Sequence, residues 1–165
     1  MSEILVLGVG NLLLGDEGVG VHAVRKLEEE YLFPPGVRLL DGGTLGIGLM
    51  GYIEVCDVLI VLDAVRAGQK PGAICRLEGE GLRSSLGLSD SMHQVSLEDV
   101  LILCELSGGR RPRTVVLGME PENMDDLNQE LTLTAKDALP ALCRAALCEL
   151  ESLGCVLRKK EPRDH

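Results

Sequence analysis

Apolar residues follow two rhythms along this chain. In "EILVLGVG", "VRLLDGG", "DVLIVLDAV" and "RTVVLGMEP" they form short, nearly unbroken runs that end in glycines or an acid. A strand covered on both faces reads this way, because neither side of its pleat meets water. Elsewhere the rhythm is helical. Val21, Val24, Leu27 and Tyr31 recur at helical spacing opposite "RK" and "EEE", predicting a helix from Gly18 to Tyr31. "SLEDVLILCELSG" predicts a helix capped by Ser96, with Glu98 and Asp99 in its first turn. "TAKDALPALCRAALCELESLG" predicts a last helix stopped by Gly154, which Pro140 either kinks or effectively starts. Gly46 to Val55 reads as a helix weakened by Gly46, Gly48 and Gly51. "AICRLE" reads as a further strand, with an antiparallel setting open, and Leu82 to Gln94 as loop.

The order is strand, helix, strand, helix, strand, strand, helix, strand, helix. Such alternation means a mainly parallel sheet with helices on both faces. No internal repeat or linker interrupts it, so residues 1–165 are expected to form one domain, with the last ~10 residues a flexible tail. Sites in such folds lie at the carboxyl ends of strands. That rule selects "GNLLLGDEG", "DGGTLG", "DAVRAG" and "GMEPEN".

The first of these loops resembles two nucleotide motifs and satisfies neither. Gly8 and Gly10 match the first glycines of a dinucleotide fingerprint, but the third position is Leu13. Asp41, after the second strand, could still serve as the ribose acid, which keeps a dinucleotide-binding module open. Gly10 and Gly15 have phosphate-loop spacing, yet Asp16 and Glu17 stand where lysine and a hydroxyl belong. Two carboxylates repel phosphate, so the loop is suited to a positive partner: a metal ion or a basic peptide.

Composition narrows the partners further. The net charge of −10 and the scarcity of aromatics (Tyr31, Phe33, Tyr52) argue against nucleic acid. No apolar run approaches the ~20 residues of a membrane span, and the start shows no secretory pattern, so a cytoplasmic protein is expected. The basic run "RKKEPR" reads as solvated tail. The six cysteines form no CxxC pair, and most, including Cys104, Cys143 and Cys148, lie in apolar patterns, as small buried hydrophobes do.

Asp63 ends the strongest strand. An acid there is costly to bury unless paired or ligated, and it reads equally as a cap of the following turn. His22 reads as a helix-surface residue, His93 as a loop residue before a helix, and His165 is terminal. Two carboxylates and a histidine from separate strand-end loops make a hard-oxygen and imidazole metal site one option.

Taken together, "ILVLGVGNLLLGDEGVGV", "LLDGGT", "LIVLDAV" and "HQVSLEDVL" closely resemble the hydrogenase maturation endopeptidases, from Ile4 to about Gly154 and including the proline of the last helix. The resemblance implies a three-layer α/β sandwich around a twisted, mostly parallel sheet of about five strands. It implies an endopeptidase that removes the C-terminal extension of a nickel-loaded [NiFe] hydrogenase large-subunit precursor. Glu17, Asp63 and His93 match the nickel-contacting residues, which would also carry the catalysis. Asp41, with Gly42 and Gly43, matches a position bearing on substrate choice, and Gly10, Asn11 and Asp16 form the loop. Nickel would arrive with the substrate, leaving the isolated enzyme metal-free, and a monomer is expected. A nickel-binding chaperone without peptidase activity would use the same ligands.

Overall fold

The computed structural model describes residues 2–43, 45–79 and 96–164. The expected loop from Leu82 to Gln94 lies outside them, as do His93 and His165.

Five strands form the main sheet in the order β3-β1-β4-β6-β5. These are β1 (Ile4–Val9), β3 (Val37–Gly43), β4 (Val58–Ala64), β5 (Ile74–Glu78) and β6 (Arg113–Met119). β1 runs parallel to both β3 and β4, β4 is parallel to β6, and β5 is the antiparallel edge strand. The sheet is therefore mostly parallel, as its apolar runs predict. "AICRLE" takes the antiparallel option, because no helix intervenes to carry β5 back to the start of the sheet.

Helices cover both faces. Ile4, Val6, Ile60, Leu62 and Leu117 point to one side, against α1 (Val19–Glu30) and α4 (Leu133–Ser152). Leu5, Leu7, Leu59, Val61 and Val116 point to the other, against α2 (Met50–Ile53) and α3 (Leu97–Leu106). Alternate residues of one strand thus serve two cores, which is why the strand sequences are apolar without interruption.

The helix ends follow local chemistry. Ser96 Oγ accepts from Asp99 N at 3.1 Å while Asp99 Oδ2 accepts from Ser96 N at 3.1 Å, a reciprocal capping box. α4 begins earlier than its sequence pattern suggests: Thr132 is the cap, its Oγ accepting from Ala135 N at 3.2 Å, and Pro140 lies well inside the helix. The glycine-rich stretch after β3 forms a 3-10 turn, Gly46–Leu49, before the single turn of α2.

Three expectations are corrected. The basic end of the chain is not all solvated tail: β7 (Arg158–Lys159) pairs antiparallel with β2 (Tyr31–Leu32), and Lys160 Nζ donates to the Glu28 carbonyl at 2.7 Å. Cys104 and Cys143 are buried, but Cys148 is exposed, since α4 turns it away from the sheet. His22 is half-buried rather than on the surface, with an enclosed Nε2 that has no hydrogen-bond partner among the described residues. Burial, and then the charge of Arg25, hold its pKa below the usual histidine value.

Candidate active site at the mouth between β1 and β4

The strand order reverses at β1: its chain successor β3 lies on one side and β4 on the other. A crevice opens at such a switch point, outside the carboxyl ends of the strands. Glycines let the first loop fold into it. A Cβ on Gly20 would strike the Leu62 and Val9 carbonyls, and one on Gly8 would strike the Gly20 backbone, so α1 starts closer to β1 and β4 than any side chain would permit. Gly10 has φ +128°, and a Cβ there would collide with the Glu17 carbonyl. Asn11 closes the turn, its Oδ1 accepting from Leu13 N at 2.9 Å and its carbonyl from Leu14 N at 3.1 Å.

This packing brings Glu17, in the 3-10 turn Gly15–Gly18, toward Asp63 near the end of β4. Both are half-buried and neither joins an ion pair with any described residue. Burial pushes the Glu17 carboxyl above its ordinary range. Asp63 stands well above its own: burial is the main cause, the Ala64 N–H (2.8 Å from Oδ1) opposes it, and the Glu17 charge adds to it. The Glu17 charge raises the proton affinity of Asp63, and no cationic side chain among the described residues pairs with either acid, so the two are suited to a positive partner. Among the described residues no third histidine, cysteine or acid completes a metal cluster with them. His93, the expected third ligand, lies outside those residues.

The other expected residues take different places. Asp16 is fully buried and does not cap α1, which has no side-chain cap. Its carboxylate instead receives the N–H groups of Glu122 (3.0 Å), Asn123 (3.3 Å) and Thr132 (2.9 Å) and the Thr132 hydroxyl (2.9 Å), all from the segment between β6 and α4. Asp41 accepts from Arg25 Nε at 3.2 Å and Nη2 at 2.9 Å, so an α1 cation already occupies the acid that a ribose would need. Gly42 is the extra residue where the β1–β3 register shifts, a bulge packed so tightly that a Cβ would lie 2.7 Å from the Leu7 side chain. Gly43 follows with φ +47° and its carbonyl accepts from Gly10 N at 3.0 Å, linking the two loops.

Sequence patterns did not single out three contributors. Glu120, directly after β6, accepts from Ala67 N at 2.7 Å and steadies the loop after β4. Arg25 looked like one more charge on a polar helix face. Thr132 carried a usable signal, a hydroxyl residue just before the last apolar periodicity.

Residues 21–149 match the family model described as hydrogenase maturation protease. The chain belongs to this family. It is 39% identical over 160 residues to the hydrogenase expression/formation protein HoxM of Azotobacter vinelandii, covering 96% of this chain and 77% of that protein. It is 39% identical over 153 residues to the hydrogenase 2 maturation protease of Escherichia coli K12, covering 92% of this chain and 93% of that one. The solved structure of the hydrogenase maturating endopeptidase HybD from E. coli superposes with a TM-score of 0.87 at 34% identity, over 95% of this chain and 97% of that one. Membership makes the chain an endopeptidase of the maturation protease type. It displaces the dinucleotide module, which the Arg25–Asp41 pair already disfavours, and the chaperone without peptidase activity.

Proposed function

We propose that this endopeptidase removes the C-terminal extension of a [NiFe] hydrogenase large-subunit precursor after nickel insertion, and that it reads the nickel directly. Glu17 and Asp63 supply carboxylate ligands to the metal carried by the substrate, and His93 supplies an imidazole. The observation that carries this reading is that Glu17 lies near enough to Asp63 for its charge to act there, while neither half-buried carboxylate pairs with a cation among the described residues. A divalent ion between them relieves both their repulsion and the penalty of their burial. Nickel held by thiolates on the substrate can add such oxygen and nitrogen ligands, whereas two carboxylates and one imidazole alone hold it weakly. One set of side chains then docks the substrate and senses the metal.

In this reading the chemistry is of the aspartic type: one carboxylate of the pair takes the proton of the attacking water while the substrate metal orients the scissile carbonyl. Asp41, beside Gly42 and Gly43 on the neighbouring strand, bears on which precursor is accepted. The enzyme acts as a cytoplasmic monomer on the precursor before its partner subunit joins.

The test is an incubation of the purified enzyme with nickel-loaded and nickel-free precursor, read by mass spectrometry, beside elemental analysis of the enzyme. Cleavage of the loaded form alone, by enzyme carrying little nickel, is the expected result. Equal cleavage of both forms by an enzyme holding stoichiometric metal would make this an ordinary metalloprotease.

A further inference from the structure

Asp16 and Glu17 are adjacent acids that the fold treats in opposite ways. Glu17 lies near enough to Asp63 for its charge to act there, with burial the one resolved influence on its own carboxyl. It sits in a four-residue 3-10 turn, and neither that turn nor α1 carries a side-chain cap. Its direction therefore depends on how its own backbone is held. On one side that backbone is held by the close approach of Gly10. On the other it is held through Asp16.

We propose that Asp16 and Thr132 are positioning residues for Glu17, a latch that holds the first loop in register with the segment between β6 and α4. This rests on the role given to Glu17 above. The Asp16 carboxylate gathers three main-chain N–H groups and one hydroxyl from that segment. The main chain reinforces it: Asp16 N donates to the Asn123 carbonyl at 3.0 Å, Gly15 N to the Asn128 carbonyl at 2.7 Å, and Asn128 N to the Leu13 carbonyl at 2.8 Å. Thr132 is the hub. Its hydroxyl has a single proton, given to Asp16, and its oxygen accepts from Ala135 N, so one side chain both caps α4 and anchors the loop that carries Glu17. A charge satisfied by several N–H donors is rigid in a way that an exposed loop is not. Catalytic groups tolerate displacements of only about half an ångström, so support of this kind governs rate as well as stability.

Thr132→Val keeps the side-chain shape and deletes the hydroxyl, whereas Thr132→Ser keeps the hydroxyl. The experiment measures kcat and KM on nickel-loaded precursor, well below each variant's Tm, with circular dichroism verifying the folded state. The expected result is a fall of about tenfold or more in kcat/KM for folded Thr132→Val, with Thr132→Ser within about threefold of wild type. Thr132→Ala replaces the valine variant if that one does not fold. A residue serving stability alone would lower Tm and leave kcat/KM of the folded enzyme unchanged, and that outcome overturns the proposal. So does a serine variant as slow as the valine one. Glu17→Gln in the same assay separates the two ideas. Wild-type cleavage by that variant removes the role of Glu17 and the latch's purpose with it, whereas an inactive Glu17→Gln beside a fully active Thr132→Val removes the latch alone.

Discussion

The acids at the mouth between β1 and β4 and those along the β5 edge live under opposite electrostatic conditions. At the edge Glu78 of β5 and Glu149 of the neighbouring α4 are both matched. Arg113 Nε donates to Glu78 at 2.7 Å, Arg76 Nη2 donates to Glu78 at 3.0 Å, and the same guanidinium reaches across to Glu149 with contacts of 3.0 and 2.8 Å. Arg113, and then Arg76, hold the Glu78 carboxyl below its usual range. At the mouth Glu17 and Asp63 have no such cations among the described residues, and both carboxyls move up. The edge ladder leaves the sheet with a charged border, which discourages another strand from adding there. Among the described residues the mouth leaves its charges unanswered, which is the arrangement that the proposed recognition of a substrate metal needs.

This contrast is broken most severely at the mouth. Glu17→Gln and Asp63→Asn each keep the shape and remove a charge, and each should lower precursor cleavage by about a hundredfold or more. Neither should lower Tm, because removing an unpaired, half-buried acid relieves strain on the fold. Cleavage rates set beside thermal melts decide it, and a variant that loses Tm and activity together would show that the acid was part of the scaffold.

A smaller effect gives the sign of the mouth's electrostatics. Asp63 has a higher pKa folded than unfolded, so the folded state binds the extra proton. Its contribution to stability is fully present below the unfolded value near 3.9 and is lost as pH rises through the folded value. The Tm advantage of Asp63→Asn over wild type should therefore be largest at neutral pH, about 2–4 °C for each kcal/mol relieved, and should shrink toward pH 4. Melts of both proteins across that range check it. An advantage that grew on acidification would mean Asp63 is paired rather than stranded.

The smallest effect belongs to the edge. Arg76→Met removes contacts to two acids but lies largely in solvent, so it should cost at most about 1 kcal/mol, less in high salt, and leave cleavage unchanged. Denaturant titrations at low and high salt measure it.

The same contrast explains what could be read from the sequence. β1 and β4 were legible because both of their faces are buried, and the α3 cap because its partners lie within one turn. Asp63 was legible as an acid at the end of an apolar strand. The two-residue ribbon of β2 and β7 was not, since such short strands have no rhythm. Nor were the Arg25–Asp41 pair and the enclosed His22 nitrogen, which depend on how α1 rolls onto β3. Thr134 looked like the start of the last helix, yet the cap is Thr132, whose hydroxyl also reaches Asp16.

The partners of Asp16 lie 106 to 116 residues further along the chain. Bringing such distant segments together has a loop-closure cost of roughly 4 kcal/mol, which local contacts within the first loop cannot offset. During synthesis the contacts of Asp16 can therefore form only after Thr132 has left the ribosome. On the roles proposed for Glu17 and Thr132, such a protease stays unarmed until the segment that carries Thr132 has been made.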